Sequence, residues 1–172
     1  MFMVCPFDAL GSTMATYGGQ NVGAGKYDRL ASGMKSAIIL AAVYSAAILV
    51  VIIFLARPLI YLFIDPSDSA NITQVVAQAR QFLITNTCFY MLLSLVNIVR
   101  FLIQGMGFSG FAVFAGVFEM IARALIGPDL CTDLRIYSCV FCSPLAWLFA
   151  DCFLLPAFFH CRKKLMRGLA NK

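Results

Sequence analysis

The chain has 172 residues, of which 62% are hydrophobic and only 12% charged, with a mean hydropathy of +0.88. A soluble domain of this size, about half apolar and a quarter charged, has too little polar surface to cover such a composition, so the class is an integral membrane protein. The net charge of +5 gathers in two places, Lys26, Arg29 and Lys35 early and Arg162, Lys163, Lys164, Arg167 and Lys172 late; beside apolar helices such clusters read as cytoplasmic anchors rather than as a nucleic-acid surface.

In chain order, Met1–Tyr17 is apolar but short and reads as the last turns of a truncated transmembrane helix. No signal peptide opens it, because the first basic residue, Lys26, follows the apolar stretch. Residues 18–36 form a glycine-rich basic segment. Its Gly25-Lys26 is followed by Tyr27, and the earlier glycine of a phosphate loop is replaced by Gln20. Gly23-x-Gly25 is followed by Asp28, which also breaks the dinucleotide pattern. The segment therefore reads as a cytoplasmic hairpin whose glycines permit a tight turn and close helix approach.

Residues 37–160 read as four complete transmembrane helices. Ala37–Leu55 has no charge and is long enough to cross a bilayer core. The turn-forming "DPSDSANITQ" from Asp65 ends the apolar run that resumes after Arg57-Pro58. Phe82–Ile103 is the second span, and its polar residues Asn86, Tyr90, Ser94, Asn97, Arg100 and Gln104 recur every three or four positions as one stripe. Such a stripe belongs against protein or a water-filled cavity, not lipid. Gln104–Gly110 is a turn, Phe111–Ile126 the third span, closed by Gly127-Pro128, and Ile136–His160 the fourth, with Pro144, Trp147, Asp151 and Pro156 inside it. Residues 161–172 are a basic cytoplasmic tail. Four crossings return Lys26 and Lys163 to one side, which agrees with the positive-inside bias, and leave Asp65, Asp68, Asp129, Asp133, Arg80 and Arg135 outside. Asn71-Ile72-Thr73 fits a glycosylation sequon in an outer loop.

The candidates for chemistry are the charges inside these spans. Glu119 and Arg123 stand four apart, where opposite charges meet on one helix face. They read as a proton or cation relay or as a structural pair, and the structural reading leads because a paired carboxylate titrates less freely. Asp151 reads as a proton site or, ahead of that, as a snorkelling aspartate or a partner for Arg100. Asn97, Arg100 and Gln104 line a substrate path or hydrogen-bond neighbouring helices. Trp147 reads as packing, His160 as interfacial, and Ala37, Ala41 and Ser45, with Ala112 and Gly116, as close-packing faces. Cys139-x-x-Cys142 has metal spacing, but with no second pair or nearby histidine it reads as helix packing. A membrane enzyme would need clustered His, Asp or Glu, and the chain has one histidine.

Four stretches together resemble the multidrug and toxic compound extrusion (MATE) transporters. "GGQNVGAGKYDRLASG" is similar to that family's Gln-Asn-x-Gly-Ala-Gly-x-x-x-Arg motif, here Gln20, Asn21, Gly23, Ala24, Gly25 and Arg29. "LVNIVRFLIQGMGFSG" resembles its tenth helix and following turn, "GVFEMIARALI" its eleventh helix, and "SPLAWLFADCFLLPAFF" its last, in the family's order and spacing. Leu130–Arg135 departs from the pattern by lacking a glycine. The resemblance implies part of the C-terminal lobe of a twelve-helix, two-lobe transporter, beginning inside the eighth helix. It implies export of organic cations or drugs in exchange for sodium or protons, with no cofactor beyond that coupling ion. The expected setting is a bacterial inner membrane with a cytoplasmic C-terminus. The expected partners are the lipid bilayer, the transported cations, and the missing N-terminal lobe or a second copy, without which the fragment is inactive. The alternative is a small multi-span membrane scaffold or assembly subunit without transport.

Overall fold

The computed structural model describes residues 3–62, 72–130 and 137–170. Its elements are six α-helices: α1 (Cys5–Gly23), α2 (Asp28–Tyr61), α3 (Ile72–Cys88), α4 (Tyr90–Gly105), α5 (Ser109–Leu130) and α6 (Tyr137–Ala170). Two of them carry segments long and apolar enough to cross a membrane, Asp28–Ala56 and Ser143–Arg167, and α3 with α4 makes a third if the pair is one bent span. α5 contributes the shorter apolar stretch Ser109–Ile121. α2 buries little of its apolar length, leaving Ile39, Leu40, Val43 and Phe54 on the outside, as suits a helix with lipid around most of its circumference.

Several boundaries differ from the sequence reading. The 18–36 segment is mostly helix, because α1 runs to Gly23 and α2 starts at Asp28. The turn between them is a Schellman cap: Gly25 N donates to Val22 O and Lys26 N to Asn21 O, with Gly25 at φ +67°. Gln104–Gly110 repeats it, with Gly107 N to Gln104 O, Phe108 N to Ile103 O, and Gly107 at φ +89°. Phe82–Ile103 is not one straight helix. It breaks at Phe89 with a 44° bend, where Phe89 N reaches only to Asn86 O and the Thr87 hydroxyl donates to the Leu83 carbonyl at 2.7 Å. A hydroxyl competing for the i−4 carbonyl is a recognised cause of helix bending. α5 passes through Gly127-Pro128 to Leu130, and α2 and α6 likewise contain Pro58, Pro144 and Pro156. Proline removes one ladder bond, and membrane helices tolerate that where neighbours re-satisfy the freed group. The expected tail is helical as far as Ala170, its Lys, Leu, Met and Arg being good helix formers. Asp65, Asp68, Asn71, Asp133 and Arg135 lie outside the described residues, as do the side chains of Cys139 and Cys142.

The tightest joint is between α1 and α4, which run parallel. Asp8 meets Asn97, Gly11 lies under the Phe101 ring, and Gly105 backs onto the Ala15 carbonyl, each step one turn further along both helices. A Cβ on Gly11 would sit 2.6 Å from the Phe101 ring, and one on Gly105 would collide with Ala15 backbone. At the end where α1 and α4 stop, α6 closes the bundle: Arg162 Nη2 lies 3.5 Å from Asp28 Oδ1, and the Phe111 and His160 rings are 6.3 Å apart. The Lys26 turn and the basic end of α6 therefore share one end of the molecule.

Gly105→Ala will lower folded yield and melting temperature in detergent, by about 1–3 kcal/mol or more, because the obstructing atom is backbone. Gly23→Ala, with nothing within 4 Å of its Cβ position, will be neutral or stabilising. Gly25→Ala will cost about 1–2 kcal/mol through its left-handed conformation. Thermal scans by fluorescence-detected size exclusion check all three, and equal behaviour of the 23 and 105 variants would contradict the packing account.

Candidate functional site

The α1–α4 joint sets one acidic side chain. Asp8 lies in the first turn of α1, where the helix dipole favours a carboxylate, and its Oδ1 accepts a 2.9 Å hydrogen bond from Asn97 Nδ2. Its depth follows from its neighbours. Phe7 meets the Tyr44 ring edge-on at 5.1 Å and Tyr90 at 5.9 Å, and Tyr44 lies well inside the Asp28–Ala56 span. Asp8 is exposed, and among the described residues no cationic side chain pairs with it. The sequence reading names Asn97 and passes over Asp8. The signal was available: an acidic residue in an otherwise apolar helix, the same criterion that picks out Glu119 and Asp151.

The polar stripe does not form one path. Asn86 lies across the bend from the rest. Tyr90 and Ser94 are buried, and the Ser94 hydroxyl donates to the Met91 carbonyl at 2.8 Å. Asn97 turns to α1, Arg100 to α5, and Gln104 is exposed.

Glu119 holds two arginines. Arg123 Nη2 lies 2.6 Å from Glu119 Oε1, one turn along α5, and Arg100 Nη1 lies 3.9 Å from Oε2 across the α4–α5 contact. Gly116 makes the second approach possible, since a Cβ there would sit 2.5 Å from Arg100 Nη2. The anticipated Glu119–Arg123 pair is thus a triad with one surplus positive charge. The anticipated Arg100–Asp151 pair does not form: Arg100 lies against Glu119, and Asp151 has no hydrogen-bond partner among the described residues.

Asp151 stands apart. It is 5% exposed on the inward face of α6, and among the described residues neither carboxylate oxygen has a hydrogen-bond partner. Trp147, one turn earlier, is also buried, with its indole N–H unpartnered. A carboxyl in such a place has to be paired, bind a cation or carry a proton.

The motif residues at the turn have structural roles. The Asn21 side chain is buried and donates to the Tyr17 carbonyl at 2.8 Å, and the Gln20 carbonyl accepts from Ala24 N. The Tyr17 hydroxyl donates to the Arg29 carbonyl at 2.9 Å, while its ring covers Gly33 closely enough to exclude a Cβ there. Gly23, Ala24, Gly25 and Arg29 are exposed. A pocket of about 570 Å³ lies between α1 and α2, lined by residues that include Phe7, Leu10, Thr13, Ala41 and Tyr44. At 100° per residue most of this lining faces away from Asp8, so the pocket and the carboxylate are separate features.

The MatE family model matches residues 1–128, from the start of the chain through nearly all of α5. Searches of curated proteins and of solved structures return no match. The matched region contains the Asp8–Asn97 contact, the glycine cap and the Glu119 triad. With 128 of 172 residues matched, the chain belongs to the MatE family, the MATE transporters of multidrug efflux.

Proposed function

We propose that this chain forms part of the C-terminal lobe of a secondary antiporter that exports organic cations or drugs in exchange for sodium or protons. The observation that carries this reading is Asp8: an exposed carboxylate next to Phe7, whose ring meets Tyr44 of the Asp28–Ala56 span, accepting from Asn97 and, among the described residues, paired with no cationic side chain. Such a group is complementary to an organic cation or a coupling ion, and intramembrane carboxylates mark such pathways. Asp151, buried with no hydrogen-bond partner among the described residues, is the second carboxylate able to take a proton or cation. Glu119 is held by two arginines and serves the joint between α4 and α5.

On this reading α2, the bent α3–α4 pair, α5 and α6 are four crossings, and the positive-inside bias supports a cytoplasmic side for both the Lys26 turn and the basic end of α6. The setting is a bacterial inner membrane. Transport by rocking lobes needs a site between two halves. The helices described here furnish part of one half, so activity requires the other, from a longer polypeptide or a second copy.

Four outcomes follow. Asp8→Asn will keep the folded yield and lower dye efflux about tenfold or more in sensitised cells expressing the chain with the complementary helices; unchanged efflux would remove Asp8 from the pathway. Glu119→Gln will cost on the order of 1–3 kcal/mol of stability, since it strands two arginines. Arg123→Gln will cost less, and adding it to Glu119→Gln will not restore full stability, because Arg100 stays unpaired; complete recovery in the double variant would refute the triad. Cysteines introduced at Lys26 and Lys163 will resist impermeant reagents in intact cells, and labelling of either would sink the topology. The chain alone in proteoliposomes will show no gradient-driven uptake; saturable uptake would reject the need for a second half.

A further inference from the structure

The basic end of α6 has no part in the transport reading, and it has a built shape. A pocket of about 290 Å³ is lined by His160, Lys163, Lys164 and Arg167, with no acidic residue among them. Arg162 is turned aside to Asp28, and among the described residues no carboxylate pairs with Lys163, Lys164 or Arg167. Lys164 Nζ rests 5.6 Å from the centre of the Phe108 ring, which holds it over the α4–α5 turn. Like charges gathered in one concavity repel, and an anion placed among them removes that repulsion.

A second groove, of about 330 Å³, adjoins the first. It is lined by Phe111, Cys152, Phe153, Pro156, Ala157 and His160, so His160 belongs to both. The apolar groove follows α6 towards the middle of the Ser143–Arg167 span, and the basic pocket lies at the end of that span. Charge at the end and apolar surface inward, joined at one residue, is the layout of a phospholipid lying along a helix. Inorganic phosphate has no chain for the groove, and a neutral lipid has no net charge for the pocket.

We propose that α5 and α6 bind an anionic phospholipid, its phosphate among Lys163, Lys164 and Arg167, His160 at the neck, and one acyl chain against Phe111, Phe153 and Pro156. Each basic residue close to an anionic lipid surface contributes about fivefold in binding.

The test is native mass spectrometry of the full chain released from detergent with phosphatidylglycerol, phosphatidylcholine or inorganic phosphate. Phosphatidylglycerol will be retained, phosphatidylcholine several-fold less, and phosphate will not displace the lipid. Lys163→Gln with Lys164→Gln and Arg167→Gln will lower phosphatidylglycerol retention about a hundredfold, following the fivefold step per charge, towards the phosphatidylcholine level. Cys152→Trp, which fills the groove, will lower retention of both lipids. Lys26→Gln with Lys35→Gln will change neither. In the unaltered chain, a photoactivatable phosphatidylglycerol will label Phe111 and the 152–167 stretch, a result that does not depend on any variant folding. Equal retention of the two lipids, full retention by the triple variant, displacement by phosphate, or labelling confined to other helices would each overturn the proposal. None of these readouts involves transport, so a failure here leaves the reading of Asp8 untouched.

Discussion

In a bilayer, apolar surface gives a helix no preference for another helix over lipid, so association has to come from close approach and polar contact. In this chain that approach is the one between α1 and α4, where Gly105 backs onto Ala15 and Gly11 onto Phe101. The remaining features depend on its register. With those glycines in contact, Asp8 comes level with Asn97, and the two helices finish together at one end. α2 and α5 then start back from that end, and α6 arrives there with its basic residues. A side chain at Gly105 would shift all of these positions together.

The chain deals with acidic side chains on its apolar helices in three ways. Glu119 is neutralised by more positive charge than it needs, which fixes two helices but leaves the carboxylate little freedom. Asp8 has one amide donor and an open side, and among the described residues no cationic side chain pairs with it. Asp151 is enclosed and, among the described residues, has no hydrogen-bond partner. A charge at the bilayer centre costs about 2.5–3.5 kcal/mol on insertion scales. The described residues provide only Asn97 for Asp8 and no hydrogen-bond partner for Asp151.

Much of this was legible in the sequence, and the failures have physical causes. The uncharged Ala37–Leu55 run identifies the core of α2, and the i,i+4 spacing of Glu119 and Arg123 gives their contact. The bend at Phe89 escapes a hydropathy window because it is a local change in the backbone ladder, where Phe89 N donates to Asn86 O, and an average over many residues does not register that. The partner of Arg100 was misassigned because depth along the helices permits Asp151 as well as Glu119; the α4–α5 contact that brings Glu119 within 3.9 Å of Arg100 is a tertiary fact. Reading Met1–Tyr17 as a bare helix end hides Asp8, although it is the only acidic residue there.

The glycine turn shows how a local pattern acquires its meaning from where its N–H groups go. Phosphate loops use glycine for unusual backbone angles, and their N–H groups point outward to the anion from the start of a helix. Gly23-Ala24-Gly25-Lys26 also uses glycine for an unusual angle, but it stands at the end of a helix. The N–H groups of Ala24, Gly25 and Lys26 donate to the carbonyls of Gln20, Val22 and Asn21, so none of the three is left for a phosphate. Gly105-Met106-Gly107-Phe108 spends its donors in the same way on Leu102, Gln104 and Ile103. Two identical caps on parallel, touching helices reverse the chain twice at the same level. Hairpins α1–α2 and α4–α5 therefore lie side by side with their turns together, and Asp8 and Glu119 sit on elements joined by that common end.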